Sequence, residues 1–347
     1  MILDARVTVF AERVTVKRAC RAFGVNERSY RHRRQRDHAG LPPRLREPKV
    51  RGPHPASLTA VENDVIVAVL CEDRFVDLAP AQVYSTVLDE GVYLCSERHM
   101  YRVLHERGLV RERRRGGHQR AGMYSVPRLE ADTANRVWTW DITALRGPTK
   151  GVKYFLYTII DIFSRKVVGW TIHEVESEKH ARRLISEACR RESVDRDQLV
   201  IHADRGSPMI AGTVAELLNE LGVAKSHSRP RVSNDNPFIE AHFKTLKYRP
   251  DYPARFDSIT AARAWCRTFV YWYNQVYYHS GIGYLRPADL HNGNHIIIVE
   301  HRQITLDTAA ATHPERFTKR PTPPTVPTKP GSTDPASNPN RKPANTY

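Results

Sequence analysis

Three carboxylates have the residue types and positions that metal-dependent phosphate chemistry requires. Cleaving or transferring a phosphodiester needs an activated oxygen nucleophile and relief of charge on the leaving oxygen. Two divalent ions roughly 3.5–4 Å apart supply both, and hard cations prefer carboxylate oxygens. Asp141 follows the strand-like run Val137–Trp140, Asp204 follows Leu199–His202, and Glu240 lies in a predicted helix. We expect these three side chains to hold such ions.

The elements around the acids would bring them together. Two neighbouring strands would place Asp141 and Asp204 at one edge of a sheet, and the longer Glu240 side chain would reach there from its helix. Lys244 and Lys247 are four and seven residues after Glu240, so they share its side of the helix and could hold DNA phosphates. A simpler alternative is an exposed pair worth a few tenths of a kcal/mol.

Other residues compete for these roles. Asp161 also ends an apolar strand and could replace Asp141. Asp235 could replace Glu240, although it precedes Asn236 and Pro237 and is typical of a helix cap. His202 could contact a phosphate, but ordinary packing is the simpler interpretation.

The charge of the chain indicates a polyanionic partner. Lys and Arg number 54 against 38 Asp and Glu, which gives a net charge of +16 over 347 residues. Nucleic acid is the usual partner of so basic a protein, although a ribosome-associated or lipid-surface protein would share this charge. The five cysteines show no Cys-x-x-Cys spacing, which argues against a structural zinc site. No apolar run is long enough for a membrane span, and no secretory signal is evident.

A helix-turn-helix is predicted near the N-terminus. Thr15 can cap a first helix that Gly24 ends, and Asn26 or Glu27 begins an arginine-rich second helix. A basic helix that is merely solvated is the alternative. The residues expected to contact DNA are Arg28, Arg31, Arg33 and Arg34.

A second helix-turn-helix is predicted farther along the chain. A capping box begins at Thr59, a further helix begins at Pro80, and Ser96 caps a helix over 97–107 in the recognition position. The basic arm that follows suits a DNA groove or backbone, although a charged linker would have the same composition. The residues expected to contact DNA are Arg98, Arg102, Arg113, Arg114 and Arg115.

From about residue 136 the sequence alternates between strand and helix patterns, which predicts an α/β core with a mixed five-stranded sheet, flanking helices and preceding all-α modules. The expected boundaries are a first module at 1–38, a Pro-rich linker at 39–56, a second module at 57–110, a basic arm at 111–134, the core at 135–300 and a disordered Pro-rich tail at 313–347.

The motifs resemble bacterial insertion-sequence transposases that have a retroviral-integrase-type core. They are Trp138–Thr143, His202–Ser207, Ser228–Lys247 and Tyr273–His279 followed by Arg286-Pro287, with 35 residues between Asp204 and Glu240. The likeness spans roughly 57–295. It implies a ribonuclease-H-like fold and the catalytic, metal-binding triad Asp141, Asp204 and Glu240, with two Mg²⁺ or Mn²⁺ ions per site.

The resemblance also implies a reaction and its partners. Water attacks the phosphodiester at the end of the element, and the freed 3′-hydroxyl then attacks a second DNA strand. The partners would be double-stranded terminal repeats and target DNA, with at least a dimer of the protein, no membrane, and a location at the nucleoid in the bacterial cytoplasm. The zinc-binding module of retroviral integrases is missing. An inactive DNA-binding regulator, or a nuclease of the same fold, remains the alternative.

Overall fold

The computed structural model describes residues 2–40, 54, 56–109, 131–203, 212–227 and 236–327. The chain divides into two compact units, Met1–Pro55 and Ala56–Tyr347. No helix in these described ranges is long and apolar enough to cross a membrane. The predicted arm at 111–134 and linker at 39–56 lie largely outside them.

The first unit is a bundle of three helices, α1 (Ile2–Ala11), α2 (Val16–Ala22) and α3 (Glu27–His38). The Thr15 and Asn26 side chains cap α2 and α3, because each accepts a hydrogen bond from a backbone N–H of the first turn. Gly24 turns the chain between them at φ +64°, a conformation that favours glycine. The bounds of α2 and α3 agree with the predicted helix-turn-helix.

The second unit begins with helices α4 (Ala60–Leu70), α5 (Pro80–Asp89) and α6 (Glu97–Glu106). Thr59 and Glu62 form the expected capping box, and Ser96 caps α6. The three helices bury a shared apolar cluster that includes Ile66, Val87 and Met100.

The predicted mixed five-stranded sheet is confirmed. Its strands are β1 (Val137–Arg146), β2 (Lys153–Asp161), β3 (Val167–His173), β4 (Val200–Ala203) and β5 (Ala224–His227). They lie in the order β3-β2-β1-β4-β5. The first three strands form an antiparallel meander, whereas β4 pairs parallel to both β1 and β5. This is a mixed five-stranded sheet with a central β1.

Helices cover both sides of this sheet. They are α7 (Glu178–Arg191), α8 (Gly212–Glu220), α9 (Pro237–Lys247) and α10 (Ile259–Gln275). Trp138 and Trp140 of β1 pack toward α7 and α8. Leu145 belongs to the opposite cluster with residues of α9 and α10. The period of two along a strand therefore divides β1 between two cores.

Strand β1 is longer than the predicted Val137–Ile142. Residues 142–146 pair with residues 153–157 of β2, and these hydrogen bonds carry the strand to Arg146. Parallel pairing with β4 covers only residues 137–140. Asp141 therefore lies in the middle of β1 and not at its end. It is the first residue after the part of β1 that pairs with the described residues of β4.

The C-terminal region differs most from the prediction. Short α11 (Pro287–His291) precedes α12 (His295–Thr312), which extends past the predicted core limit at residue 300. The prediction of disorder from residue 313 is wrong for 313–327. Arg316 pairs with Glu62 at 2.8 Å, and Val326 packs on the cluster of Ile282, Leu285 and Leu290. These ion-pair and apolar contacts order a proline-rich segment that composition alone would leave unfolded.

A buried arginine fastens α12 to the rest of the second unit. Arg302 is fully buried. Its guanidinium donates to both carboxylate oxygens of Asp89 in α5, at 2.5 and 3.1 Å, and to the carbonyls of Gly283 and Tyr284. Asp89 also accepts from the Tyr278 hydroxyl at 2.9 Å. One charged group therefore links α5, α12 and the loop after α10.

Replacing this arginine should destabilise the second unit. Arg302→Ala leaves Asp89 without its cation, and breaking a buried pair in this way costs about 3–5 kcal/mol. All five tryptophans belong to the second unit, so urea unfolding followed by tryptophan fluorescence measures the change. Arg320→Ala, which removes an exposed pair with Asp307, is the matched control and should not shift the midpoint. Equal midpoints for the two variants would contradict the fastening role.

Candidate active site

Asp141 lies on a polar strip along β1. Thr139, Asp141 and Thr143 alternate along the strand and so point to one side of the sheet, which we call the Asp141 side. Thr139 and Thr143 are buried, whereas Asp141 is partly exposed. The strip thus has a solvent-accessible carboxylate between two buried hydroxyls.

Helix α9 is attached to this strip at both of its ends. At the N-terminal end, the Thr139 hydroxyl donates to Oδ1 of Asn236 at 2.5 Å. At the C-terminal end, Nζ of Lys247 donates to the Thr143 hydroxyl at 2.7 Å. We call these two hydrogen bonds the polar bracket. It fixes α9 along the strand positions that flank Asp141.

Glu240 lies on the bracketed side of α9. It comes four residues after Asn236 and seven before Lys247, spacings that place all three on one side of a helix. Its own backbone N–H donates to the Asn236 carbonyl at 3.3 Å, and it is partly exposed. The structure therefore brings together the strip that carries Asp141 and the side of α9 that carries Glu240.

Asp204 lies outside the described residues. Ala203, the residue before it, is the last of β4 and pairs in parallel register with Trp140, the residue before Asp141. His202 pairs with Thr139 and is fully buried, which favours packing over phosphate contact. Asp235 is likewise outside the described part of the chain.

Asp161 does not belong to this site. It pairs with Trp138 across the hairpin, and cross-strand partners point to the same side of a sheet, so Asp161 lies on the side opposite Asp141. It is fully buried and accepts from the Ser164 N–H and hydroxyl and from the Asn135 N–H. Burial raises the pKa of Asp161. Its role is to hold the β2–β3 turn.

The lysine of the bracket is electrostatically coupled to the strip. Partial burial lowers the pKa of Lys247, and the negative charge of Asp141 opposes that effect. Lys244, one turn earlier, is exposed. The positive charge of Lys247 near Asp141 would suit a site that binds phosphates, because it can offset the negative charge of a phosphate. Lys247 bonds to the Thr143 hydroxyl, so it leaves the carboxylate oxygens available to a metal ion.

The donors present fit a hard divalent cation. Among the described residues no three His, Cys, Asp or Glu side chains cluster closely enough to hold a metal, and Asp204 is not among those residues. Asp141 and Glu240 supply partly exposed carboxylate oxygens. Nδ2 of Asn236 is buried with no hydrogen-bond partner, as is the hydroxyl of Thr158, the cross-strand partner of Asp141. Such neighbours can orient carboxylate ligands from behind.

The residues around the predicted acids were not identified from the sequence. Thr139, Thr143, Thr158 and Asn236 were not among the predicted site residues. A signal for two of them exists, because Thr139 and Thr143 alternate with Asp141 on the strand. Asn236 could be found only as the residue one turn before Glu240.

The arginines predicted to contact DNA differ in their surroundings. Arg33 forms a bidentate pair with Asp4 at 2.6 and 2.7 Å, and Arg31 pairs with Glu27. On α6, Arg98 is exposed, whereas Arg102 contacts His99 and Glu106. Arg113, Arg114 and Arg115 lie outside the described residues.

Comparison with known proteins agrees with this geometry. Two family models, each described as an integrase core domain, match residues 131–233 and 221–287. This part of the chain is therefore similar to integrase core domains. The matched ranges contain β1, β4, α9 and all three predicted acids.

Proteins similar to this part of the chain are named as transposases. The transposase for insertion sequence element IS904 from Lactococcus lactis subsp. lactis (strain IL1403) is 34% identical over 169 residues, which cover 48% of this chain and 65% of the relative. Transposase InsF for insertion sequence IS3A from Escherichia coli (strain K12) is 28% identical over 165 residues, 47% of this chain and 56% of the relative. The chain thus spans less than two thirds of either. The predicted resemblance to insertion-sequence transposases is confirmed.

Similar solved structures include catalytic core domains of retroviral integrases. The HTLV-2 integrase catalytic core domain in complex with magnesium is 16% identical, with 46% of this chain and 97% of that chain covered and a TM-score of 0.35. The catalytic core domain of BIV integrase is 17% identical, with 47% and 97% covered and a TM-score of 0.32.

A buried histidine of α9, His242, packs against aromatic side chains of α10. Both ring nitrogens of His242 lack a partner, and the ring contacts Tyr273 with centroids 4.6 Å apart. Burial lowers the pKa of His242 to about 3. The folded protein therefore keeps this ring neutral at a pH where the unfolded chain binds a proton, near pH 6.5 and below.

The core should consequently lose stability as the pH falls from 7 to 5. In His242→Phe the decrease in the free energy of unfolding over this range should be about 2 kcal/mol smaller, because one proton no longer binds preferentially to the unfolded state. Urea unfolding at both pH values measures it. His105→Gln, at an exposed position of α6, should keep the original pH dependence. A His242→Phe slope equal to that of the parent would refute the neutral buried ring.

Proposed function

We propose that this chain is a DNA transposase that binds the ends of an insertion element and catalyses metal-dependent 3′-end cleavage and strand transfer. The observation that carries the proposal is the polar bracket, which holds the Glu240 side of α9 against the Asp141 strip within an integrase core domain. The relatives named as transposases support the same class of reaction.

The proposed catalytic and metal-binding residues are Asp141, Asp204 and Glu240. Two Mg²⁺ or Mn²⁺ ions, when held by these carboxylates, would activate the attacking oxygen and neutralise the leaving oxygen. Asp204 is assigned because it follows β4, whose pairing with β1 ends beside Asp141. The protein itself supplies fixed negative charge on a rigid sheet and helix.

The lysines of α9 would hold the DNA backbone beside the acids. Lys244 is exposed and free to approach a phosphate, while Lys247 is held by Thr143 with its charge close to Asp141. Charge-assisted contacts of this kind position a phosphodiester without reading sequence. We assign both residues to binding the DNA strand that is cut.

The helical modules would recognise the DNA substrate. Helices α3 and α6 occupy the predicted recognition positions, α3 is basic, and the chain has a net charge of +16. We propose double-stranded terminal repeats and target DNA as partners. At least two copies of the chain would act together, since two element ends must be joined, and the complex would be associated with the bacterial nucleoid.

The decisive experiment is cleavage of a labelled duplex from the DNA that flanks the gene, with Mg²⁺ or Mn²⁺. The parent chain should release a 3′-hydroxyl and join it to a second strand. Glu240→Gln keeps the size of the side chain but loses its charge, and should reduce the rate more than about 100-fold, since even outer neighbours of a metal site contribute 10–100-fold. The parent should also lose activity in EDTA.

Binding assays on the same proteins serve as the control. Glu240→Gln should bind the duplex as the parent does. Binding without cleavage by either protein would favour a DNA-binding regulator, and cleavage without strand joining would favour a nuclease. Either result would contradict the proposed transposase.

The polar bracket gives a second prediction for the reaction. Thr139→Val removes the hydroxyl that holds Asn236 while keeping the shape of the side chain, so Glu240 is less firmly positioned and the cleavage rate should fall about 10–100-fold with DNA affinity unchanged. Thr245→Val is the matched control, because the Thr245 hydroxyl donates to the carbonyl of Ala241 within its own helix and is no part of the bracket. Equal rates for the two variants would exclude the bracket from catalysis.

A further inference from the structure

The arginine-rich helix α3 has two sides with different surroundings. Tyr30 marks the inner side, since it is 2% exposed and packs with Val7, Ala19 and Cys20. At 100° per residue, Arg33 and Arg34 lie within about 60° of Tyr30 around the helix axis. The direction of each arginine therefore follows from its distance in sequence from Tyr30.

Arginines of the inner side are engaged by the fold. Arg33 grips both carboxylate oxygens of Asp4 in α1, at 2.6 and 2.7 Å, and this hydrogen bonding is the largest cause of the lowered pKa of Asp4. Arg34 donates to the Tyr30 hydroxyl at 3.4 Å. The Arg33 pair holds α3 on α1, whereas the Arg34 contact lies within α3, and both side chains remain exposed at their other edges.

The outer side presents a different set of side chains. Arg28, His32 and Gln35 lie about 140–200° from Tyr30 around the axis and are exposed. Together with Arg31 they line a shallow depression on the surface of the first unit. Arg31 is at the margin of this side and is paired with Glu27 at 2.7 Å.

This outer side has the chemistry of sequence readout in duplex DNA. An arginine bonds bidentately to O6 and N7 of guanine, and a glutamine to N6 and N7 of adenine, in the major groove. Recognition helices place such side chains, mainly near their N-terminal ends, against base edges. Residues 2–40 also carry ten Lys and Arg against four Asp and Glu, which complements a polyanion.

We propose that Arg28, His32 and Gln35 read base pairs in the major groove, whereas Arg33 holds the helix against α1. The inference rests on the proposed function, because it names the residues through which the first unit selects its DNA. His32 and Gln35 were not among the residues that the sequence predicted to contact DNA. Arg33 and Arg34 were, and we assign no base contact to them.

The test selects duplexes from a random-sequence pool with the full chain. Glu240→Gln is introduced into every protein so that bound DNA is not cut. The parent should enrich one motif. Arg28→Ala and Gln35→Ala should each relax the preference at one or two base pairs and weaken the selected duplex about 5- to 100-fold relative to a scrambled one. Both positions are exposed and helical, where alanine is well tolerated.

A charge control separates readout from general attraction. Arg6→Ala removes an exposed charge of α1 in the same unit and should weaken selected and scrambled duplexes equally, with an unchanged motif. An unchanged motif in both Arg28→Ala and Gln35→Ala would overturn the proposal. So would binding by the parent without any enriched motif.

The selection experiment tests base readout by α3 separately from the proposed transposase activity. Selection uses proteins that do not cleave, so the motif result stands whether or not the parent chain cuts DNA. Conversely, the parent chain could cleave and join strands while Arg28→Ala and Gln35→Ala keep its sequence preference. That result would support the proposed transposase and contradict base readout by α3.

Discussion

The whole site depends on the two-residue period of β1. A strand must send alternate side chains to opposite sides of its sheet, and β1 uses one side for Trp138 and Trp140 and the other for Thr139, Asp141 and Thr143. The tryptophans make the strand a rigid centre of the core. The same rigidity fixes the direction of Asp141, and a shift of one residue in register would bury the acid under α7 and α8.

The polar bracket adds a second constraint of a different kind. Apolar packing of Ile239, Phe243 and Leu246 attaches α9 to the sheet, but such packing is non-directional. The two hydrogen bonds to Thr139 and Thr143 specify where along β1 the helix must lie. The bracket therefore fixes the position of α9 along β1, which the role proposed for Glu240 requires.

Features set by local sequence could be predicted from the chain alone. Helix caps at Thr15, Thr59 and Ser96 depend on neighbours three residues away, and the apolar strands show their own period, so the fold class followed. The partners of Arg33 and Asn236 could not be found in this way, because Asp4 and Thr139 are 29 and 97 residues distant. The prediction of disorder was wrong for residues 313–327 for the same reason, since their order comes from contacts with Glu62 and other distant residues. The catalytic triad of Asp141, Asp204 and Glu240 stays a prediction.

The Arg302–Asp89 pair has a consequence for how the chain is made. Its partners are 213 residues apart in sequence, so Asp89 has left the ribosome long before Arg302 is synthesised. The Asp89 carboxylate therefore lacks this cation until α12 has been made, whereas the local helical contacts of α4–α6 can form early. The N-terminal unit has no such delay, because its deepest contacts join residues within about the first forty of the chain. Synthesis therefore orders the two units in time, and the basic N-terminal bundle can fold on the growing chain before the second unit is complete.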